Sequence, residues 1–68
     1  MSVKRILLRH EKRQLYFQLP DAWVADATEG LSFAGSVQAE RLARERGLRE
    51  VELVFEFDTP DINFAIRL

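Results

Sequence analysis

Between Glu50 and Asp58 the chain alternates with a period of two. Val51, Leu53, Phe55 and Phe57 hold the odd positions, while Glu50, Glu52, Glu56 and Asp58 hold the even ones apart from Val54. Successive side chains on a β-strand point to opposite faces, so such a run has one apolar and one solvated face. A helix would instead need its apolar residues three and four apart. Ile62 to Leu68 repeats the pattern, with Ile62, Phe64, Ile66 and Leu68 in phase. Thr59-Pro60-Asp61 lies between the two runs, and proline presets the φ of a turn's second position. The spacing predicts a β-hairpin over residues 50–68.

A third alternating run, Gln14 to Leu19, sets Leu15, Phe17 and Leu19 against Gln14, Tyr16 and Gln18. Pro20-Asp21 stops it, because proline cannot donate to a ladder. Val3 to Arg9 precedes it and contains Ile6, Leu7 and Leu8 in succession. That predicts a strand covered on both faces, or one whose second face meets another chain. The polar link His10-Glu11-Lys12-Arg13 is short enough to join the two as a hairpin. A weaker strand over Trp23 to Thr28 would place Trp23, Ala25 and Ala27 together, with a turn at Glu29-Gly30.

One helical stretch follows, from about 32 to 46. Ser32 is a suitable N-cap, with Ser36 as a rival start because Gly35 would otherwise lie inside the helix. Gly47 suits the left-handed position that ends a helix. Gly35, Ala39, Leu42 and Ala43 share one arc, so small residues let the helix approach a sheet closely. Glu40 with Arg44, and Arg41 with Glu45, form i,i+4 pairs on the solvated side. The expected fold is α+β: a two-layer sandwich with a mostly antiparallel sheet of four to five strands, in the order β-β-(β)-α-β-β. One domain spans residues 1–68. A single helix of this length covers only part of such a sheet. Tyr16, Val54 and one side of Val3–Arg9 are left without evident cover, which predicts a homodimer through an edge strand or a sheet face.

Composition narrows the function classes. The 68 residues include no cysteine, which excludes disulfides and thiolate metal sites and fits a reducing cytoplasm. No apolar run approaches the ~20 residues of a membrane span, and Arg9 ends the first apolar run too early for a signal peptide. A cytoplasmic location without a membrane is expected. The net charge of −1 speaks against bulk nucleic-acid binding. Its distribution is uneven. Lys4, Arg5, Arg9, Lys12 and Arg13 oppose only Glu11 in the first thirteen residues, whereas residues 50–61 carry acids alone. Either the two segments pair and cancel, or one ridge faces a charged partner.

Catalytic equipment is sparse. His10 is the single histidine and sits in a polar turn. A zinc site needs three or four ligands with histidine or cysteine among them. Glu50, Glu52 and Glu56 share a strand face but lack the loop carbonyls of a calcium site. Ser2, Ser32 and Ser36 have no nucleophile-elbow context, and Gly30, Gly35 and Gly47 are too scattered for a phosphate loop. The expectation is a protein-interaction module without catalysis, cofactor or metal. Its candidate contact face is Glu50, Glu52, Glu56 and Asp58, suited on charge grounds to a basic protein. The alternative is a self-associating domain with a ligand or nucleic-acid site formed across a dimer. Arg5, Arg9, Lys12 and Arg13 beside Tyr16 would be its phosphate and stacking groups. Nucleic acid is not the expected partner, since Phe17 is in phase with the core and Tyr16 is the one free ring.

The pieces LYFQLPDAW at 15–23, EGLS at 29–32 and FAGSVQAERLA at 33–43 resemble the N-terminal domain of the HicB-type antitoxins, with Pro20, Asp21, Gly30 and Ser32 on the motif positions. The resemblance covers residues 4–43. It departs where Ala22-Trp23-Val24 replaces a glycine and where Phe33, Ala34 and Gly35 replace acidic residues. The resemblance implies a partial RNase-H-like sheet, dimerisation and a small basic toxin RNase as partner. The DNA-binding segment usual in that family has no counterpart pattern after residue 47.

Overall fold

The computed structural model describes residues 2–59 and 63–68. Strands β1 (Val3–His10), β2 (Tyr16–Gln18) and β3 (Ala22–Val24) precede helix α1 (Ser36–Glu45), and β4 (Val51–Phe57) and β5 (Asn63–Arg67) follow it. All five strands form one sheet in the order β3-β2-β1-β4-β5, with every pairing antiparallel. The α+β architecture expected from the sequence is therefore the observed one. Of the turn expected at 59–61, and of Ile62, the residues 60–62 lie outside the described part.

β1 is the axis of the sheet. Its register with β4 sets Ile6 opposite Phe55, Leu7 opposite Val54, Leu8 opposite Leu53 and Arg9 opposite Glu52. Ile6 and Leu8 thus share a face with Leu53 and Phe55, and α1 packs on that face. The core comprises Ile6, Leu8, Phe17, Val51 and Leu53 from the sheet and Ala39 and Ala43 from the helix. Trp23 is half-buried at its margin, edge-on to Phe17 at 5.5 Å and to His10 at 5.8 Å.

The helix is shorter than the expected 32–46. It starts at Ser36 with Gly35 as N-cap, and Ser32 stays outside it. The reason is tertiary. The Leu31 N–H donates to Phe17 O at 2.9 Å and the Phe33 N–H to Ile6 O at 2.8 Å, which holds residues 31–33 across the sheet. The C-terminal end is as expected. Gly47 sits at φ +64°, its N–H donates to Arg44 O, and the Leu48 N–H reaches Ala43 O at 2.9 Å. This is the paired-bond arrangement that closes a helix through a left-handed residue.

β3 is also shorter than the Trp23–Thr28 expectation. Asp26 Oδ1 accepts from the Thr28 N–H at 2.9 Å and from Thr28 Oγ1 at 2.8 Å, which turns Ala27–Glu29 into a 3₁₀ turn. Short polar side chains compete with the ladder in this way.

The expectation of a bare second face does not hold, and over Leu7 and Tyr16 the cover is the 3₁₀ segment. Leu7 is 0 % exposed and Val54 2 %, although neither faces the helix. The segment around Gly30 lies against Leu7 and Tyr16; a Cβ at Gly30 would come within 3.0 Å of Tyr16 Cβ. One guanidinium nitrogen of Arg5 donates to Ala27 O at 2.7 Å and to Gly30 O at 3.0 Å, pinning the segment to the sheet. The run Ile6-Leu7-Leu8 is accordingly covered on both faces, the first of the two readings its sequence allowed. The surface without cover lies elsewhere, on β5.

Candidate functional site

Two regions carry the residues that chemistry could use. The first is the charged face of β1 and β4. Their register opposes Arg9 to Glu52 and Arg5 to Glu56, with ion-pair distances of 2.7 Å and 3.6 Å. Lys12 Nζ meets Glu50 at 2.9 Å, and Arg67 Nε reaches across from β5 to Glu11 at 2.8 Å. The neighbouring strands cancel one another, which is the first of the two readings that the charge distribution allowed. Burial is the largest single influence on Arg9 and works against its charge, yet the hydrogen bonds and charges of Glu52 and Tyr16 together outweigh it and hold the guanidinium more firmly charged than usual. The hydrogen bond between Lys12 and Glu50 raises the lysine's pKa and lowers the glutamate's.

The four acids do not form one set. Glu52 and Glu56 are half-buried and turned towards arginines, whereas Glu50 and Asp58 are exposed beyond opposite ends of β4. The basic group is divided too. Arg5 is turned to the 3₁₀ segment, and Arg9 lies over the Tyr16 ring at 5.9 Å. Lys12 and Arg13 occupy the β1–β2 turn. Arg13 is exposed, and among the described residues its side chain makes no ion pair. Its backbone N–H donates to His10 Nδ1 at 3.1 Å, which fixes the ring proton of a neutral His10 on Nε2, 3.9 Å from Glu50. Among the described residues, no group of three or more histidine, cysteine, aspartate or glutamate side chains could hold a metal ion.

The second region was not singled out by sequence reasoning. β5 is an edge strand whose described residues are all exposed. Phe64, Ile66 and Leu68 stand on the helix side of the sheet at 61 %, 54 % and 47 % exposure, next to half-buried Phe55 and Phe57. Phe57 and Phe64 meet edge-on at 5.6 Å. α1 lies over β1 and β4, so β5 falls just outside its shadow. A groove of about 420 Å³ lies between the helix and Leu68 at the end of the row, with Ala43, Leu48, Val51 and Leu68 as its apolar lining and the charged Glu40 and Arg44 of the helix flank, Arg49 and Glu50 around it. Val37, 62 % exposed, falls on the same flank at helical spacing.

The backbone of this strand is half-used. The Leu68 N–H donates to Val51 O at 3.2 Å, and Ile66 and Phe64 lie opposite Leu53 and Phe55. Hydrogen-bonded pairs alternate along an antiparallel ladder, so Phe64, Ile66 and Leu68 direct their amides to β4. Asn63, Ala65 and Arg67 direct theirs outward.

The sequence did contain a signal for this row: the apolar residues Phe64, Ile66 and Leu68 in phase, on an edge that the short helix does not cover. Placing the row beyond the helix required the strand order, which periodicity does not supply. Comparison with family models, curated proteins and solved structures returned no significant match. No helix among the described residues is long and apolar enough to cross a membrane.

Proposed function

We propose that the chain is a non-catalytic protein-interaction module that self-associates through the uncovered row of β5. The observation that carries this reading is the contiguous exposure of Phe64, Ile66 and Leu68 on an edge strand. With Val37, these side chains leave on the order of 400 Å² of apolar surface open, a size that marks contact sites on small proteins. The row carries no charge, so nothing opposes its meeting a copy of itself, and an isologous contact requires self-complementarity of that kind. Two copies would bury on the order of 800 Å² of apolar surface, worth about 20 kcal/mol before the association cost. That cost is about 4–15 kcal/mol, which leaves about 5 kcal/mol at the least and so a dimer of sub-millimolar affinity or tighter, from an interface below the standard size. The proposed setting is the cytoplasm, in keeping with the lack of cysteine.

Sedimentation equilibrium over micromolar to millimolar protein tests the reading. The wild type should reach twice 7.9 kDa, and Phe64→Glu should stay at 7.9 kDa with an unchanged circular dichroism spectrum. A wild type that remains at the monomer mass throughout refutes it.

The second reading is an antitoxin-like module that binds a small basic protein through Glu50, Glu52, Glu56 and Asp58. Its support is the exposure of Glu50 and Asp58 and the HicB-like motifs. The inward pairing of Glu52 and Glu56 places it second.

A further inference from the structure

Resting on that self-association, we infer that the two copies meet face to face rather than edge to edge. β5 of each copy then enters the helix layer of the other. Two arrangements could use β5. In the first, the outward amides of Asn63, Ala65 and Arg67 pair with those of a second β5 and continue the sheet. In the second, the row of Phe64, Ile66 and Leu68 packs against the same row of the partner.

The placement of α1 decides between them. It sits over β1 and β4. In an edge-paired dimer, both helices would lie on the same side of one long sheet, because the two-fold axis stands perpendicular to it. From one helix to the other is then about four strand spacings, or about 19 Å. Helices about 10 Å across would leave a trough about 9 Å wide between them. Its floor would be both rows, still open to water. Edge pairing therefore doubles the exposed apolar strip instead of removing it.

Face packing removes it. Sheets pack face to face about 10 Å apart, close to the height at which a helix rides on a sheet. A partner's β5 therefore fits beside α1 in the same layer, its row pointing down onto the row beneath. By the two-fold symmetry, α1 of the partner comes to lie beside the free edge of this copy's β5. The flank it presents there holds Ser36, Glu40 and Arg44, spaced four apart along the helix. Glu40 and Arg44 pair with each other at 2.8 Å, and the remaining guanidinium N–H groups of Arg44 can serve outward C=O groups of Asn63, Ala65 and Arg67, which Ala65→Pro leaves in place. Covering an edge with a helix is one of the ways proteins prevent open-ended strand pairing.

Two variants separate the arrangements. Ala65→Pro removes an outward N–H from an edge strand, where proline is tolerated, and leaves the row untouched. Ala65→Cys places a thiol on the side away from the row, in a chain with no other cysteine. In a face-packed dimer, Ala65→Pro should keep its dissociation constant within about threefold of the wild type, and Ala65→Cys should form no disulfide dimer on mild oxidation. In an edge-paired dimer centred on this residue, the two thiols would face each other across adjacent strands, within disulfide reach. A disulfide-linked Ala65→Cys dimer overturns the face arrangement while leaving self-association standing. So does a folded Ala65→Pro protein that is monomeric at wild-type dimer concentrations. A wild type that is monomeric throughout removes both.

Discussion

Arg5→Met tests whether the 3₁₀ segment is held on the second face by the guanidinium or only by packing. Methionine keeps most of the apolar stem that lies over the sheet and removes the charged fork. Two hydrogen bonds go with it, to Ala27 O and Gly30 O, together with the ion pair to Glu56. A hydrogen bond from a charged donor contributes about 1.5–3 kcal/mol when its partner is sheltered. Arg5 is intermediate in exposure, so water recovers part of that. The expected loss is about 2–3 kcal/mol, against a total of about 3–10 kcal/mol for a chain of this length. In urea, with a slope near 1 kcal/mol per molar for so small a domain, the midpoint should fall by about 2–3 M. A local readout separates this from general damage. The amides of Gly30 and Leu31, bonded to Ala27 O and Phe17 O, should exchange faster in the variant. Those in the β1–β4 ladder should slow or quicken only in step with global stability. A loss below about 0.5 kcal/mol with unchanged exchange at Gly30 and Leu31 would show that packing alone holds the segment.

Three further outcomes follow from the same structure. Gly30→Ala and Gly47→Ala should separate steric from conformational cost. The first meets Tyr16 Cβ at 3.0 Å and the Ala27 carbonyl at 3.3 Å and should cost about 1–3 kcal/mol in urea unfolding; the second has open space but φ +64° and should cost about 1 kcal/mol. If the Gly47 variant is the more damaging, the close approach at Gly30 is not a constraint. Asp26 accepts from the Thr28 hydroxyl and N–H, which holds its carboxyl below the usual 3.8. A depressed carboxylate stabilises the fold above its unfolded pKa and loses that contribution as pH falls through the folded value. An NMR titration should give a midpoint under 3.8, and one at or above it would contradict the cap. Single-stranded RNA should give no mobility shift at about 0.15 M salt, since Arg5, Arg9 and Lys12 already have partners; a shift abolished by Arg9→Glu in a folded protein would contradict this.

Much of the architecture was legible because it depends on local period. The alternation of Val51 to Phe57 gives a strand with one apolar face wherever it sits, and Gly47 ends a helix by its own backbone freedom. What escaped reading depends on bonds between distant residues. Nothing near Ser32 reveals that the Phe33 amide is taken by Ile6, so the cap lies at Gly35 and not at the expected Ser32. Nothing near Arg5 reveals that it reaches carbonyls 22 and 25 positions away, so Leu7 looked bare although it is not. Uncovered apolar surface was expected at Tyr16, Val54 and one side of Val3–Arg9, whereas the structure leaves it on β5. That place is set by the lateral position of the helix, which follows from strand order and not from any one segment's pattern.

The same logic decides what the uneven charge is for. Arg9 faces Glu52, Leu7 faces Val54 and Arg5 faces Glu56 in one register that holds from Arg5 to His10 and shifts only between Val3 and Arg5. Slipping β4 by one residue would turn every one of its side chains to the opposite face, leaving the arginines opposite apolar residues and the glutamates under the helix. Only one register satisfies both arginines and buries Leu7 on Val54. The basic first strand and the acidic fourth therefore read each other, and their charges select how the sheet is assembled. A domain that uses its charges in this way offers little net potential to an outside partner. What it still presents outward is the neutral row of β5, and apolar contact without charge recognises shape before sign. A second copy of the same row meets that condition without requiring any other feature of the surface.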